Sequence, residues 1–365
     1  IILMKPMNLW LNLEKSLDSI KHPLMKYRFR KVAKIALVLI YLVIAAGAIV
    51  RMTGSGMGCP DWPKCFGYYI PPTDISELEF IQNHSYDKGM VVIKDDNLYV
   101  ASKSFISGAQ FNLDNWSEYT THDYAIFNPI HTWVEYINRL IGALSGLPVI
   151  GMFLLSFFFW KDKKLITILS TLTLLGLGFQ AWLGKTVVDS NLAPYKITLH
   201  MVMALVIVAM ILCVIFKSKT SFKIQQYNST FHKLLVLGIV LSLIQIILGT
   251  QVRQFVDENV KLFGDAKTFW LNQPDLTFYI HRSFSILVLI VNVLLLRTNY
   301  KKALNFNKIN LVIVGIGIEI VTGIAMYYFN FPFSTQSIHL FIATVIIGIQ
   351  YYIFLESSHF KKKIV

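Results

Sequence analysis

Two histidines in apolar surroundings are the residues of this sequence best suited to chemistry. His281 and His339 lie 58 residues apart, each near one end of a strongly apolar stretch. An ionisable side chain is costly inside a lipid bilayer, so a histidine in such a stretch indicates a functional site. Neutral imidazoles on opposite sides of an iron atom hold heme in many proteins. The alternative is that each imidazole only forms a hydrogen bond inside a helical bundle.

The first half of the chain repeats the spaced polar residues of the second half. The matching segments are GAIVR at 47–51 and GTQVR at 249–253, YINR at 136–139 and YIHR at 279–282, and GFQ at 178–180 and GIE at 317–319. His200 corresponds to His339, and Asn138 corresponds to His281. Such a repeat predicts two four-helix bundles of related structure.

The composition indicates an integral membrane protein. Of 365 residues, 55% are hydrophobic and only 15% are charged. Eight apolar windows are long enough to cross a bilayer. They lie at about 32–50, 129–159, 165–184, 197–216, 234–251, 277–296, 309–328 and 337–355. The sequence therefore predicts an all-α fold of eight transmembrane helices, arranged as two pseudo-symmetric four-helix bundles with a long external loop between helices 1 and 2.

The distribution of charge predicts how the chain lies in the membrane. The net charge is +13, and the basic residues cluster at both chain ends and in every second connection, whereas the long segment 52–127 is acidic. By the positive-inside rule, both termini are cytoplasmic and the 52–127 loop is external. We expect this membrane to be the cytoplasmic membrane of a bacterial cell. Basic residues confined to short connections also argue against nucleic acid as a partner.

These observations divide the chain into five predicted parts. They are a cytoplasmic segment at 1–31, an N-terminal bundle at 32–216 that includes the loop 52–127, a cytoplasmic linker at 217–233, a C-terminal bundle at 234–355, and a basic cytoplasmic tail at 356–365. Within the first part, 7–20 forms either a short amphipathic helix on the membrane surface or a poorly ordered tail.

Four arginines lie toward the external ends of predicted helices. They are Arg51, Arg139, Arg253 and Arg282. At that depth a guanidinium group can pair with the propionates of a bound heme. The alternative is that each side chain extends to the membrane interface.

Several motifs of this sequence, taken together, resemble those of the heme A synthase family. They are RMTGSGMGCPDWPKC at 51–65, EYINR at 135–139, His200, HR at 281–282 and His339. The resemblance runs from about residue 33 to 355. It implies an oxidoreductase that oxidises the C8 methyl group of heme O to a formyl group, giving heme A for terminal oxidases. It also implies a substrate porphyrin in the N-terminal half and a heme b cofactor in the C-terminal half.

The resemblance also implies roles for individual residues and partners. His281 and His339 match the axial ligands of heme b, His200 matches one ligand of the substrate heme, and Glu135 matches the acidic catalytic residue of the substrate site. A hydrogen bond to a neighbouring helix is the alternative for Glu135. The expected partners are heme O as substrate, membrane lipid, a heme O synthase that hands the substrate over, and terminal oxidase assembly factors. The substrate heme set is His200, His131, Asn138, Arg51 and Arg139, and the heme b set is His281, His339, Arg253 and Arg282.

Asn138 is a departure from the family pattern, which has a histidine at this position. One account is that His200 alone holds the substrate iron. The other is that His131 replaces the missing ligand, and we favour it. His131 lies seven residues before Asn138 on the same helical face, about 10.5 Å away along the axis.

Cys59 and Cys65 lie in the predicted external loop, where a disulfide would persist. We expect a structural disulfide, and the resemblance adds a role in electron or heme transfer. Cys213 is expected to be an ordinary apolar residue. Glu319 corresponds to Gln180 in the repeat and matches no motif.

Within the external loop, 90–94 and 97–101 alternate apolar and polar residues around Asp95, Asp96 and Asn97, which predicts a hairpin. The loop is expected to cap the porphyrin site or to dock a partner.

Two other functions compete with the enzyme. A diheme b-type electron-transfer cytochrome requires two complete histidine pairs. A transporter requires inverted repeats and broken helices.

Overall fold

The structure is a computed structural model that describes residues 5–95, 97–119, 127–264 and 266–361, with side chains from residue 24 onward. Eight helices in these ranges are long and apolar enough to cross a membrane, which confirms the predicted fold class. They are α1 (Lys5–Met52), α2 (Pro129–Ser156), α3 (Lys164–Asp189), α4 (Pro194–Lys217), α5 (Ser229–Phe263), α6 (Leu276–Lys301), α7 (Ile309–Tyr328) and α8 (Thr335–Lys361).

Local sequence signals begin three of these helices. Asn128, Asn228 and Asp275 precede α2, α5 and α6, and each side chain accepts a hydrogen bond from a backbone N–H in the first turn. Pro129 follows Asn128 at the first position of α2, where its missing N–H costs nothing. These caps fix where the helices that carry His131 and His281 begin.

The helices pack in two rings of four. In the first ring α1 contacts α2 and α4, and α3 contacts the same two helices. In the second ring α5 contacts α6 and α8, and α7 contacts the same two helices. Each ring has its own apolar core, which contains Phe29 and Met152 in the first and Phe231 and Phe306 in the second. The pseudo-symmetry of the two rings and the five-part division of the chain stay predictions.

The two rings contact each other through α1, α4, α5 and α8. Thr198 and Thr250 share a hydrogen bond of 3.0 Å between their hydroxyl oxygens. The Ser337 hydroxyl donates to the carbonyl oxygen of Ala48 at 3.3 Å. At the same interface, Gly348 lies so close to the Tyr41 hydroxyl that a Cβ would collide with it. The rings therefore form a continuous structure across α1 and α8.

Helix α5 continues well beyond its predicted end. The apolar window predicted that it ends near residue 251, whereas the helix runs to Phe263. Its last turns lie outside the apolar window and pack on the loop before α6, where Val256 is buried with Trp270 and Phe331. A hydropathy window covers only the apolar stretch that crosses the membrane, so the sequence did not predict this extension.

Helix α1 is continuous from Lys5 into its membrane-spanning part. The segment 7–20 is thus helical. Its predicted amphipathic character depends on side chains outside the described part of the chain and stays a prediction.

In its described residues, the loop between α1 and α2 contains five short strands. They are β1 (Ser85–Tyr86), β2 (Val91–Lys94), β3 (Asn97–Ala101), β4 (Phe105–Ile106) and β5 (Trp116–Glu118). β1 pairs with β4, and β3 lies between β2 and β5, all antiparallel. The predicted hairpin is confirmed because Lys94 pairs with Asn97. Asp96 at its tip lies outside the described residues.

Candidate functional site

His281 on α6 and His339 on α8 face each other inside the second ring. Their ring centres are 6.4 Å apart, and the ring planes are inclined by 66°. A metal–imidazole bond is about 2 Å long, so two imidazoles on opposite sides of one metal atom have ring centres roughly 6 Å apart. The observed separation is therefore compatible with a metal atom bound between the two rings.

Both histidines line a cavity of about 510 Å³. Its walls are mostly apolar and come from α5 to α8, and the ends of α1 and α4 also contribute. Its polar lining includes four residues near the loop-facing end: Arg51, Arg253, Arg282 and Gln336. A cavity of this size and polarity suits a flat, largely apolar ligand with anionic groups at one edge.

The Nδ1 atom of His339 has two partners on α7. It lies 2.9 Å from Glu319 Oε2 and 2.9 Å from Thr322 Oγ1. Its other ring nitrogen, Nε2, is left to bind a ligand. Partners of this kind orient histidines that hold metals.

The ring of His281 packs closely against α5. A Cβ on Gly249 would lie 3.1 Å from His281 Cε1, so only glycine allows this approach without displacing the ring. Gln245 Nε2 donates to the carbonyl oxygen of His281 at 3.0 Å. Among the described residues, the buried His281 Nδ1 has no hydrogen-bond partner.

Arg51 and Arg253 meet at the loop-facing end of the cavity. Both guanidinium groups contact the Asp257 carboxylate, at 3.0 Å and 2.7 Å respectively. Arg253 also donates to the carbonyl oxygen of Arg51 at 2.9 Å and to the side chain of Gln336. The structure thus brings an arginine predicted for the substrate heme next to one predicted for heme b.

Arg282 lies on the same cavity. Its guanidinium carbon lies 5.6 Å from the centre of the Tyr327 ring, in a cation–π contact. The guanidinium group is thereby held beside the cavity without an acidic partner of its own among the hydrogen bonds and ion pairs of the described residues.

His200 and Asn138 lie in the first ring. A Cβ on Gly184 would be 3.4 Å from His200 Cε1, and a Cβ on Gly47 would be 3.9 Å from Asn138 Oδ1. Neither His200 Nδ1 nor Asn138 Oδ1 has a hydrogen-bond partner within the described ranges, although both atoms are buried. Unsatisfied buried polar atoms are rare and indicate a missing ligand or water.

His131 lies in the first turn of α2 and is not brought against His200. Its backbone N–H donates to the Asn128 side chain at 3.2 Å, and its backbone lies against Gly58. No ring contact joins His131 to His200 within the part of the chain that the structure describes, in contrast to the pair His281 and His339. Its role as the replacement ligand stays a prediction.

Glu135 and Arg139, one turn apart on α2, hold the loop that follows α1. Glu135 accepts hydrogen bonds from the Cys59 backbone N–H at 2.8 Å and from Arg139 at 2.5 Å. Arg139 also donates to three backbone carbonyl oxygens of this loop, those of Cys59, Asp61 and Lys64. Its guanidinium group is therefore occupied by the loop rather than directed into an open site.

Cys59 and Cys65 form a disulfide, as predicted, and both are buried. Asp61 closes the loop between them by accepting hydrogen bonds from the backbone N–H groups of Phe66 at 2.6 Å and Gly67 at 2.8 Å. Burial raises the pKa of the Asp61 carboxyl, although these hydrogen bonds and the Arg139 charge act in the opposite direction.

Sequence reasoning missed three residues of the site. Asp257 lies beyond the apolar window of α5, and Thr322 and Tyr327 look like ordinary residues of α7. The helical spacing of Thr322 three residues after Glu319 was the one available signal, because residues at i and i+3 share a face.

The fold and the site define a multi-pass membrane protein with a histidine pair suited to heme iron. The chain belongs to the cytochrome oxidase assembly protein family, whose sequence model matches residues 30–96 and 114–351.

Curated relatives carry the name heme A synthase. The protein of Wolbachia from Brugia malayi is 24% identical over 348 residues, which cover 85% of this chain and 91% of that protein. The protein of Ehrlichia canis is 24% identical over 351 residues, covering 86% and 88%. The protein of Shewanella oneidensis is 26% identical over 186 residues, and the match spans 51% of this chain but only 44% of that relative.

Proposed function

We propose that this protein is a heme A synthase, which oxidises the C8 methyl group of heme O to a formyl group. The observation that carries the proposal is the His281 and His339 pair at metal-bridging separation in a cavity with arginines at one end. Family membership and the names of the relatives support the same activity.

The residues present fit a heme b in the C-terminal bundle. His281 and His339 would bind the iron, and Arg51, Arg253 and Arg282 would face its propionates. The cavity volume, the apolar walls and the unpartnered Nδ1 of His281 agree with this ligand. A heme b bound there supplies one-electron transfer.

Arg51 is better assigned to heme b than to the substrate heme. It comes from the N-terminal half of the chain but lines the C-terminal cavity and shares Asp257 with Arg253. In this proposal the two bundles depend on each other, because the first supplies a cation to the cofactor site of the second.

The substrate heme is proposed to bind in the N-terminal bundle, near His200 and Asn138. Their buried polar atoms lack partners among the described side chains, as expected for groups that face a ligand. Glu135 lies one turn from Asn138 and is held between Cys59 and Arg139. This environment favours a role for Glu135 in shaping the substrate site over a freely accessible proton donor.

The rival function, a diheme electron-transfer cytochrome, is not favoured. It requires a second pair of histidines. In the second ring His281 lies next to Gly249, but at the corresponding place in the first ring the residue next to Gly47 is Asn138.

We further propose that both termini are cytoplasmic and that the strand-containing loop is external, in a bacterial cytoplasmic membrane. The polar groups of both sites lie in the helix halves next to that loop. A heme O synthase and terminal oxidase assembly factors are the proposed partners, because the poorly soluble heme must be handed over at each step.

The test is to purify the protein from cells that also contain a heme O synthase, extract its porphyrins, and identify them by mass. Heme b together with heme O, heme A or an oxidised intermediate supports the enzyme. Heme b alone at two sites contradicts it and favours the cytochrome. The His281→Ala variant is the control, since it should lose heme b without losing heme O.

A further inference from the structure

We propose that Glu319 is a positioning residue that strengthens His339 as an iron ligand and lowers the reduction potential of the heme bound there. The proposal rests on the proposed function, which places heme b between His281 and His339. It assigns a role to a partly buried carboxylate that matched no sequence motif.

Hydrogen bonds on α7 fix which nitrogen of His339 carries the proton. The Thr322 hydroxyl donates to the carbonyl oxygen of Ile318 at 2.8 Å, so it accepts at His339 Nδ1, 2.9 Å away. Because Nδ1 then carries the hydrogen, Glu319 Oε2 also accepts from it at 2.9 Å. Two acceptors require an N–H at Nδ1, which leaves the lone pair of Nε2 for the iron.

Two other candidate ligands, His200 and His281, have no such partner. Gln180 donates from Nε2 to the carbonyl oxygen of His200 at 2.9 Å, and Gln245 does the same to His281 at 3.0 Å. The Nδ1 atoms of both histidines lack partners in the described structure. Glu319 occupies the position that corresponds to Gln180 in the sequence repeat, but its carboxyl group contacts the imidazole ring of His339 instead of a backbone carbonyl oxygen. The change from amide to carboxylate therefore gives His339 an environment different from those of the other two histidines.

The consequence for the iron follows from electrostatics. A carboxylate that accepts the Nδ1 proton makes the imidazole a stronger electron donor, which favours ferric over ferrous iron. The Glu319 side chain is only 17% exposed, so water does not compete strongly for this hydrogen bond. The hydrogen bond therefore lowers the reduction potential.

The experiment is a spectroscopic redox titration of purified wild-type protein and the Glu319→Gln variant. We expect the variant to retain its heme and to shift the equilibrium about tenfold toward the reduced state, which is about 59 mV for a one-electron couple. The electron paramagnetic resonance signal of the ferric heme should shift as well, because the strength of the His339 ligand changes.

The matched control is Glu356→Gln. Glu356 is a buried carboxylate on α8 that pairs with Lys308 at 2.8 Å, and it lies about 25 Å along that helix from His339. The reduction potential of the heme in Glu356→Gln should equal that in the wild type. Thr322→Val removes the second acceptor and keeps the Glu319 carboxylate, so it should shift the potential in the same direction by less.

A Glu319→Gln protein that has full heme and the wild-type potential overturns the proposal. If that variant loses its heme, Glu319→Asp decides, because it keeps the carboxyl group but is too short to reach His339 Nδ1. A raised potential then supports the proposal, and an unchanged potential overturns it. A wild-type protein without heme at His281 and His339 contradicts the proposed function instead.

Discussion

Arg51 Nη2 lies 3.0 Å from Asp257 Oδ2, which joins the end of α1 to the last turns of α5 across 206 residues of sequence. The same carboxylate contacts Arg253 at 2.7 Å. Two arginines beside one cavity would repel each other without this negative charge. Asp257 therefore allows both cations to stay at the loop-facing end of the cavity, where an anionic ligand edge would meet them.

We expect Asp257→Asn to destabilise the heme-free protein more than the heme-loaded protein. Loss of the carboxylate leaves the two guanidinium groups unneutralised, at a cost of about 1 to 2 kcal/mol for partly exposed groups. Heme propionates would replace that charge. Thermal unfolding of Asp257→Asn in the wild-type and in the His281→Ala background measures the difference. An equal loss of stability in both backgrounds would show that Asp257 serves only to hold the helices together.

Gly249→Ala should weaken heme binding at the C-terminal site. The new Cβ would be 3.1 Å from His281 Cε1 and would displace the ring by a few tenths of an ångström. Overpacking of this kind costs about 1 to 3 kcal/mol, so heme affinity should fall roughly tenfold or more. The heme content after detergent dialysis reports the loss.

Gly317→Ala is the control for this change. It is also a helical glycine of the second ring, but a Cβ there meets nothing within 4 Å. Equal heme retention by the two variants would contradict the packing argument.

His131→Ala should abolish turnover and leave the absorption spectrum of the C-terminal heme unchanged. Turnover should stop because His131 is the predicted replacement ligand of the substrate iron. The spectrum should stay the same because His131 is not among the residues that line the C-terminal cavity. Heme A production is measured by mass and heme b by absorption in the same membranes. Normal heme A production would show that His131 does not replace the missing histidine.

Arg139→Lys should make the Cys59–Cys65 disulfide easier to reduce. Arg139 donates to three carbonyl oxygens of the disulfide loop and to Glu135, and a lysine ammonium cannot reach all four acceptors. Hydrogen bonds to charged groups contribute about 1.5 to 3 kcal/mol each, so the loop should open at least about tenfold more often.

The rate of thiol labelling after mild reductant measures this opening. Lys185→Ala is the control, because it removes an exposed ion pair with Asp189 on α3. If Arg139→Lys were labelled at the wild-type rate, Arg139 would not be what holds the disulfide loop closed.

The sequence determined the parts of this protein that depend on local physics. Apolar length sets which segments span the membrane, and the resulting windows matched the structure closely for α2 and α7. The disulfide between Cys59 and Cys65 and the hairpin of β2 and β3 were likewise predictable, because their partners are close in sequence.

Only the tertiary structure decided which groups meet across the bundles. Arg51 belongs by sequence to the first half but lies at the cavity of the second, because α1 packs against α8 and reaches Asp257 on α5. The pairing of Glu319 with His339 depends in the same way on how α7 and α8 rotate against each other. Hydropathy and spacing place a residue along its own helix, but the direction of a side chain toward another helix is set by packing between segments far apart in the chain.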